Sequence, residues 1–135
     1  MGYQEEGAVY ELPWEYECSD DSNSVQFKKP LYKNQHLAFR MVDLANEIEM
    51  AKYMVYKAAC DKDEHKPFSA SAAKAKLIAA ETAMHVTTDA VQMLGGNGYM
   101  REYHVERMMR DAKITQIYEG TNEIQKLVIS GALFR

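Results

Sequence analysis

Two long stretches of the chain carry the same apolar rhythm. Leu37, Met41, Leu44, Ile48, Ala51, Val55 and Ala58 fall alternately four and three residues apart, and so do Ala73, Leu77, Ala80, Met84, Thr87, Val91 and Leu94. That spacing keeps apolar side chains on one face of an α-helix, so it predicts helices over residues 34–63 and 69–95. The two seams are expected to bury Leu44, Ile48, Val55, Leu77, Met84 and Val91 against each other. Phe39, Val42, Tyr53 and Tyr56 widen the first apolar surface, which implies more than one neighbour. Ala70, Ala72, Ala75, Ala79, Ala83 and Ala90 crowd the second helix with small side chains that permit close approach.

The punctuation fits these helices. Asp61-Lys62-Asp63-Glu64-His65-Lys66 before Pro67 reads as a solvated turn, Ser69 as an N-cap, and Gly95-Gly96-Asn97-Gly98 as a stop. A shorter helix is expected from Val105 to Ala112. A last one opens at Glu119 or Thr121 and runs through Ile124, Leu127, Val128 and Leu133. The fold class is therefore all-α, an antiparallel helical bundle. Residues 10–18 differ: Tyr10, Leu12, Trp14, Tyr16 and Cys18 alternate with Glu11, Pro13, Glu15 and Glu17. This period of two predicts an edge strand or an extended docked peptide, since Pro13 lacks an N–H. Asp20 to Ser24 reads as a loop.

Charge divides the chain at the same place. Residues 1–27 hold seven acids and no Lys or Arg, whereas residues 28–135 hold sixteen bases and thirteen acids. Residues 1–23 are thus set apart as an acidic extended segment, and residues 24–135 as the helical domain. At 135 residues, one domain with a modest core is expected. The domain's small positive excess does not argue for nucleic acid. No apolar run approaches the roughly 18 residues of a membrane span, and the N-terminus lacks the pattern of a secretory signal. Cys18 and Cys60 make no disulfide framework, so a reducing compartment is expected.

Several clusters carry possible chemistry. Glu81 and His85 share a helix face, but the paired Glu-x-x-His motifs and further carboxylates of a di-iron bundle are missing, so no metal is expected. Arg101, Arg107, Arg110 and Lys113 read as a solvated face paired with Glu102, Glu106 and Asp111. The glycines at 95, 96 and 98 serve as a helix cap, and they also strip side chains from a turn whose N–H groups can then approach a phosphate. Gln92, one turn earlier, can add an amide contact. Glu119, between Tyr118 and Gly120, reads either as a helix-start acid stabilised by the dipole or as a general base. The second role needs an apolar setting that raises its pKa, with Ile117 and Tyr118 at hand to supply it.

Three runs decide between these alternatives. Asp89 to Tyr99 (DAVQMLGGNGY), Val105 to Ile114 (VERMMRDAKI) and Ile117 to Gln125 (IYEGTNEIQ), in that order, closely resemble the C-terminal helical domain of acyl-CoA dehydrogenases. The tail through Ile129, Ser130 and Gly131 is most similar to the short-chain, butyryl-CoA type. The resemblance runs from about Gln26 to Arg135 and does not cover residues 1–23.

The resemblance implies oxidation of an acyl-CoA to its trans-2-enoyl-CoA, with FAD as cofactor and electron-transfer flavoprotein as the redox partner. It places Glu119 at the base position, and Tyr118 and Gly120 beside the acyl thioester. Gln92, Gly95 and Gly96 match the stretch that contacts the FAD diphosphate of a neighbouring subunit. Thr121 and Glu123 match positions that touch FAD on their own subunit. Gln26, Phe27, Leu31 and Asn34 match a segment reaching a neighbour's FAD near the adenine. A homo-oligomer, dimer or tetramer, is implied, in the cytoplasm of a bacterium or the mitochondrial matrix of a eukaryote.

There are departures. Ser24 stands where the family carries a diphosphate-binding Arg, Lys28 where it has Gly, and His104 where it usually has Pro. The family's helical N-terminal domain, its β-domain and the first helix of the C-terminal bundle have no counterpart here. Two functions follow as expectations. One is the family's dehydrogenation, with this chain as a fragment inactive by itself or as one polypeptide of a split enzyme. The other is a non-catalytic helical module in which residues 1–23 replace the lost helix.

Overall fold

The computed structural model describes residues 25–26, 29–30 and 33–134. The extended segment expected at 10–18 and the loop at 20–24 lie outside the described residues, as do Phe27 and Leu31. The chain divides between Arg40 and Met41 into two units. The first contains an antiparallel ladder of two short strands, β1 (Val25–Gln26) and β2 (Lys29–Pro30), with Val25 opposite Pro30 and Gln26 opposite Lys29. This ladder has no counterpart in the sequence reading. Asn34 then caps the first long helix, its Oδ1 accepting from the His36 N–H at 3.1 Å.

Helix α1 spans Gln35–Asp63 and α2 spans Ser69–Leu94, within a residue of the expected ranges. A single turn, α3 (Gly96–Tyr99), and a 3₁₀ turn (Arg101–Tyr103) lead to α4 (Val105–Thr115), and α5 runs over Asn122–Leu133. The described residues are all-α apart from the small ladder. Helix α1 ends in a Schellman motif: the Lys66 N–H reaches Asp61 O at 2.8 Å, the His65 N–H reaches Lys62 O at 3.1 Å, and His65 sits at φ 54°. Ser69 is not the cap of α2. Phe68 holds that position, Ser69 already lies inside the helix, and Ser71 Oγ donates to Phe68 O at 3.0 Å.

The second unit is organised around α2. Asp61, near the end of α1, lies close to Ser71, near the start of α2, while Glu47 bonds His85 at 2.7 Å, so these helices run antiparallel. Lys76 Nζ donates to Asn122 Oδ1 at 3.1 Å and Lys126 pairs with Glu81 at 3.7 Å, so α5 runs parallel to α2. Helix α4 starts after the turn at the C-terminal end of α2. It ends beside Asn122, whose N–H bonds Gln116 O, so it returns antiparallel. The result is an up-down-up-down bundle with α2 against both α4 and α5.

The core differs from the expected seam. Of the six large residues assigned to it, Leu44 alone is buried; Ile48, Leu77, Met84 and Val91 are half-buried, and Val55 is 45% exposed. The buried positions of α2 are Ala73, Ala75, Ala80, Val86 and Ala90, joined by Ala51 of α1, Val105 and Ala112. A helix with neighbours on several sides buries its small residues, because they bring the backbones close enough that nothing larger fits.

Candidate active site: the Glu119 turn and the glycine turn

Two turns carry the candidate chemistry. The first joins α4 to α5. The Tyr118 N–H still bonds Ile114 O at 3.0 Å, after which Glu119 takes φ 54° and Gly120 φ 88°. The Asn122 N–H closes the loop onto Gln116 O at 3.1 Å. Thr121 caps α5, its hydroxyl oxygen accepting from the Ile124 N–H at 3.4 Å. Glu123 is held below the usual carboxylate range by its own backbone N–H and by the Thr121 hydroxyl, with Lys126 and Lys113 adding attraction. Glu119 itself is exposed, flanked by Ile117 and Tyr118 at 52% and 51% exposure. The apolar enclosure that a general base requires is therefore not supplied by the described residues of this chain.

Gln125 lies beneath this loop. Its side-chain nitrogen donates to Glu119 O and to Gly120 O, both at 3.2 Å, and a Cβ on Gly120 would fall 2.8 Å from that nitrogen. Sequence reading missed Gln125, Asn122 and Lys76, because bonds spanning a loop or two helices leave no spacing pattern. The only hint was a Gln one turn inside a Thr-capped helix.

The second turn ends α2. Gly95 takes φ 59° and its N–H bonds Gln92 O, while Gln92 is exposed. A Cβ at Gly95 or Gly96 would meet nothing within 4 Å, so the backbone here faces open space. Gly98 differs: it is buried, and a Cβ there would meet Val91 O at 2.8 Å. The glycines thus divide into one that packs and two that leave a bare, accessible turn, which fits the approach of a phosphate-bearing group.

The structure does not bring the two turns together. Asn122 is tied to Lys76, and Gln92 lies sixteen residues further along α2, or about 24 Å at about 1.5 Å per residue. The three residue steps from Glu119 to Asn122 span at most about 10 Å. Gln92, Gly95 and Gly96 therefore form one surface and Tyr118, Glu119, Gly120, Thr121 and Glu123 another. Gln26 and Asn34 belong to the first unit.

The other clusters resolve into ordinary pairs. His85 Nδ1 lies 2.7 Å from Glu47 and its Nε2 3.6 Å from Asp89, while Glu81 faces Lys126. Arg110 pairs with Glu106 at 2.8 Å, and Lys113 donates to Gln116. His104 takes φ 60° at the start of α4, a conformation a proline ring forbids.

This bundle is similar to known proteins in sequence and in fold. Residues 21–134 match the family model of the acyl-CoA dehydrogenase C-terminal domain, and the chain belongs to that family. It is 60% identical over 111 residues to the short-chain-specific acyl-CoA dehydrogenase of Megasphaera elsdenii, covering 82% of this chain and 29% of that protein. The bovine mitochondrial short-chain enzyme is 48% identical over 113 residues, covering 84% of this chain and 27% of that protein. Among solved structures, butyryl-CoA dehydrogenase from Megasphaera elsdenii superposes with a TM-score of 0.87 at 54% identity, over 91% of this chain and 32% of that one. A chain in the structure of the electron-transferring flavoprotein of Acidaminococcus fermentans gives the same TM-score at 50% identity, over 91% and 32% of the two chains. This chain spans less than a third of the length of these relatives.

Proposed function

We propose that this chain supplies the catalytic base and part of the cofactor-facing surface of a short-chain acyl-CoA dehydrogenase. The observation that carries the reading is Glu119: its φ of 54°, followed by Gly120 at 88°, lifts an exposed carboxylate out of the bundle between α4 and α5. In that role the carboxylate takes the α-proton of the acyl thioester as a hydride leaves the β-carbon, converting a single bond into a trans double bond. FAD, when bound, supplies the acceptor for that hydride. Tyr118 and Gly120 border the acyl group, and Thr121 and Glu123 face the cofactor of their own subunit. Gln92, Gly95 and Gly96, with Gln26, Phe27, Leu31 and Asn34, serve a neighbouring subunit's FAD. A homo-oligomer, dimer or tetramer, follows from that division.

The remaining length of the relatives supplies the rest of the enclosure around Glu119, because proximity to the acceptor and exclusion of water supply much of the rate. Electron-transfer flavoprotein is the proposed oxidant of the reduced cofactor. The bacterial cytoplasm or the mitochondrial matrix is the proposed location, and none of the described helices is long and apolar enough to cross a membrane. In this scheme residues 24–135 are the catalytic-domain portion and residues 1–23 a separate acidic segment. The 135-residue chain alone is expected to be colourless and to show negligible butyryl-CoA oxidation with an artificial electron acceptor. Supplying the remaining length of a short-chain relative should restore activity, and Glu119→Gln should abolish it with flavin still bound. Activity that survives Glu119→Gln excludes Glu119 as the base.

A second reading, a non-catalytic association module, is favoured by the exposed apolar side chains of the second unit, among them Tyr53 at 63% and Leu127 at 66%. Restored flavin absorbance and turnover would exclude it.

A further inference from the structure

The Glu119 turn is conformationally expensive. A left-handed φ at a non-glycine residue is disfavoured by contact of Cβ with the backbone, and such a residue persists only where its surroundings over-determine it. Here two consecutive residues have positive φ, Glu119 at 54° and Gly120 at 88°. The loop is closed at its base, where the Asn122 N–H bonds Gln116 O at 3.1 Å and the Asn122 side chain is anchored to α2 through Lys76 at 3.1 Å. Those bonds fix where the loop leaves and re-enters the bundle. They do not fix the two peptides that aim the carboxylate.

Gln125 does. It sits on the first turn of α5, and one primary amide carries two N–H donors. Both are used on successive carbonyls, Glu119 O and Gly120 O, each at 3.2 Å. Two acceptors on the same side define which way the amide faces, since its oxygen there would meet two carbonyl oxygens. The amide also occupies the space of the side chain that Gly120 lacks, 2.8 Å from the position of a Cβ. Glycine at 120 and glutamine at 125 are thus one arrangement: the first leaves room and permits the φ, the second holds it.

We propose that Gln125 is a positioning residue for the catalytic carboxylate, clamping the Glu119 and Gly120 carbonyls so that the Glu119 side chain is presented in one direction. The catalytic part rests on the reading of Glu119 as the base; the clamp itself does not. The clamp predicts that losing the two donors loosens the turn without unfolding α5, and that the loss is felt in the proton-abstraction step rather than in substrate binding.

Gln125→Met is the informative variant, because Met matches Gln in length and helix propensity and has no donor. In the 135-residue chain, NMR should show the Glu119 HN–Hα coupling moving from its left-handed value. Amide exchange at Asn122 should rise by about fivefold or more, as expected for two lost hydrogen bonds, with the amides of Leu127 to Ser130 unchanged. Unchanged coupling and exchange at the turn would overturn the clamp, and so would equal loss of protection throughout α5.

In the enzyme completed with the remaining length of a short-chain relative, Gln125→Met should lower kcat about tenfold at unchanged KM. If Glu119→Gln is itself silent, the base assignment fails while the NMR result still decides the clamp. If Glu119→Gln abolishes turnover and Gln125→Met leaves kcat intact, the positioning role fails while the base assignment stands.

Discussion

Gly95, Gly96 and Gly98 look alike in the sequence and are different objects in the fold. Gly98 is pressed against α2, where a Cβ would lie 2.8 Å from Val91 O and 2.9 Å from both Val91 Cα and Leu94 Cβ. Two of these three atoms are backbone and cannot move aside, so Gly98→Ala should destabilise the chain by about 1–3 kcal/mol through overpacking. Gly96 has an ordinary φ and open space, so Gly96→Ala should leave stability within about 0.5 kcal/mol of the parent. Urea unfolding of the two variants checks the contrast; equal midpoints would show that the turn does not pack as described. If Gly96 is kept bare for a cofactor, its alanine variant should still weaken FAD retention in the completed enzyme, separating function from folding at neighbouring positions. Glu119 presents the opposite case. The family resemblance of its run singled it out, while its exposure and its bonds to Gln125 are three-dimensional contacts that no spacing rule encodes.

Helices were the most legible feature of the sequence, and their packing the least. The four-three rhythm located α1 and α2 because a helix must keep apolar residues on one face whatever it meets. It misassigned the burial because α2 meets α4 and α5 as well as α1, and closest approach falls on alanines rather than on Val91 or Met84. The difference is measurable. Leu44 is 4% exposed, so Leu44→Ala should cost about 2–5 kcal/mol; Val55 is 45% exposed, so Val55→Ala should cost less than about 1 kcal/mol. A large loss at Val55 in equilibrium unfolding would restore the two-helix seam. The end of α1 adds a pH dependence. The hydrogen bond from Lys57, with Ser71 close by, holds the Asp61 carboxyl below its ordinary value. A depressed carboxylate contributes stability that is fully present above its unfolded pKa of about 3.9 and lost as pH falls through its folded value. The melting temperature of the parent should therefore drop more steeply below about pH 4 than that of Asp61→Asn. Parallel acid profiles would mean that the contacts of Asp61, chiefly with Lys57 on the same helix, carry no net stability.

Among the described residues of the second unit the bundle is thinly cored: no large side chain is more than 98% buried, while Met50, Tyr53, Tyr56, Leu127 and Leu133 are more than half exposed. Exposed apolar surface of this kind suits contact with other protein, which agrees with the proposed homo-oligomer. Gln92 and Lys76, to which Asn122 is tied, lie about 24 Å apart along α2, a separation that supports the proposed division of the two turns between different cofactors. Under the proposed function, each working site combines Glu119, Thr121 and Glu123 of one copy with Gln92, Gly95 and Gly96 of another. Complementation tests this directly. In the completed enzyme, Glu119→Gln should eliminate turnover, and Gln92→Ala combined with Gly96→Ala should sharply reduce flavin retention. When the two defective proteins are unfolded together and reassembled, a mixed oligomer contains sites in which both lesions fall together and sites that have neither. Turnover should then appear where neither parent shows it, in proportion to the mixed species isolated by differential tagging. If the two turns served the same copy's cofactor, every site in the mixture would retain one lesion and activity would stay at the parental level.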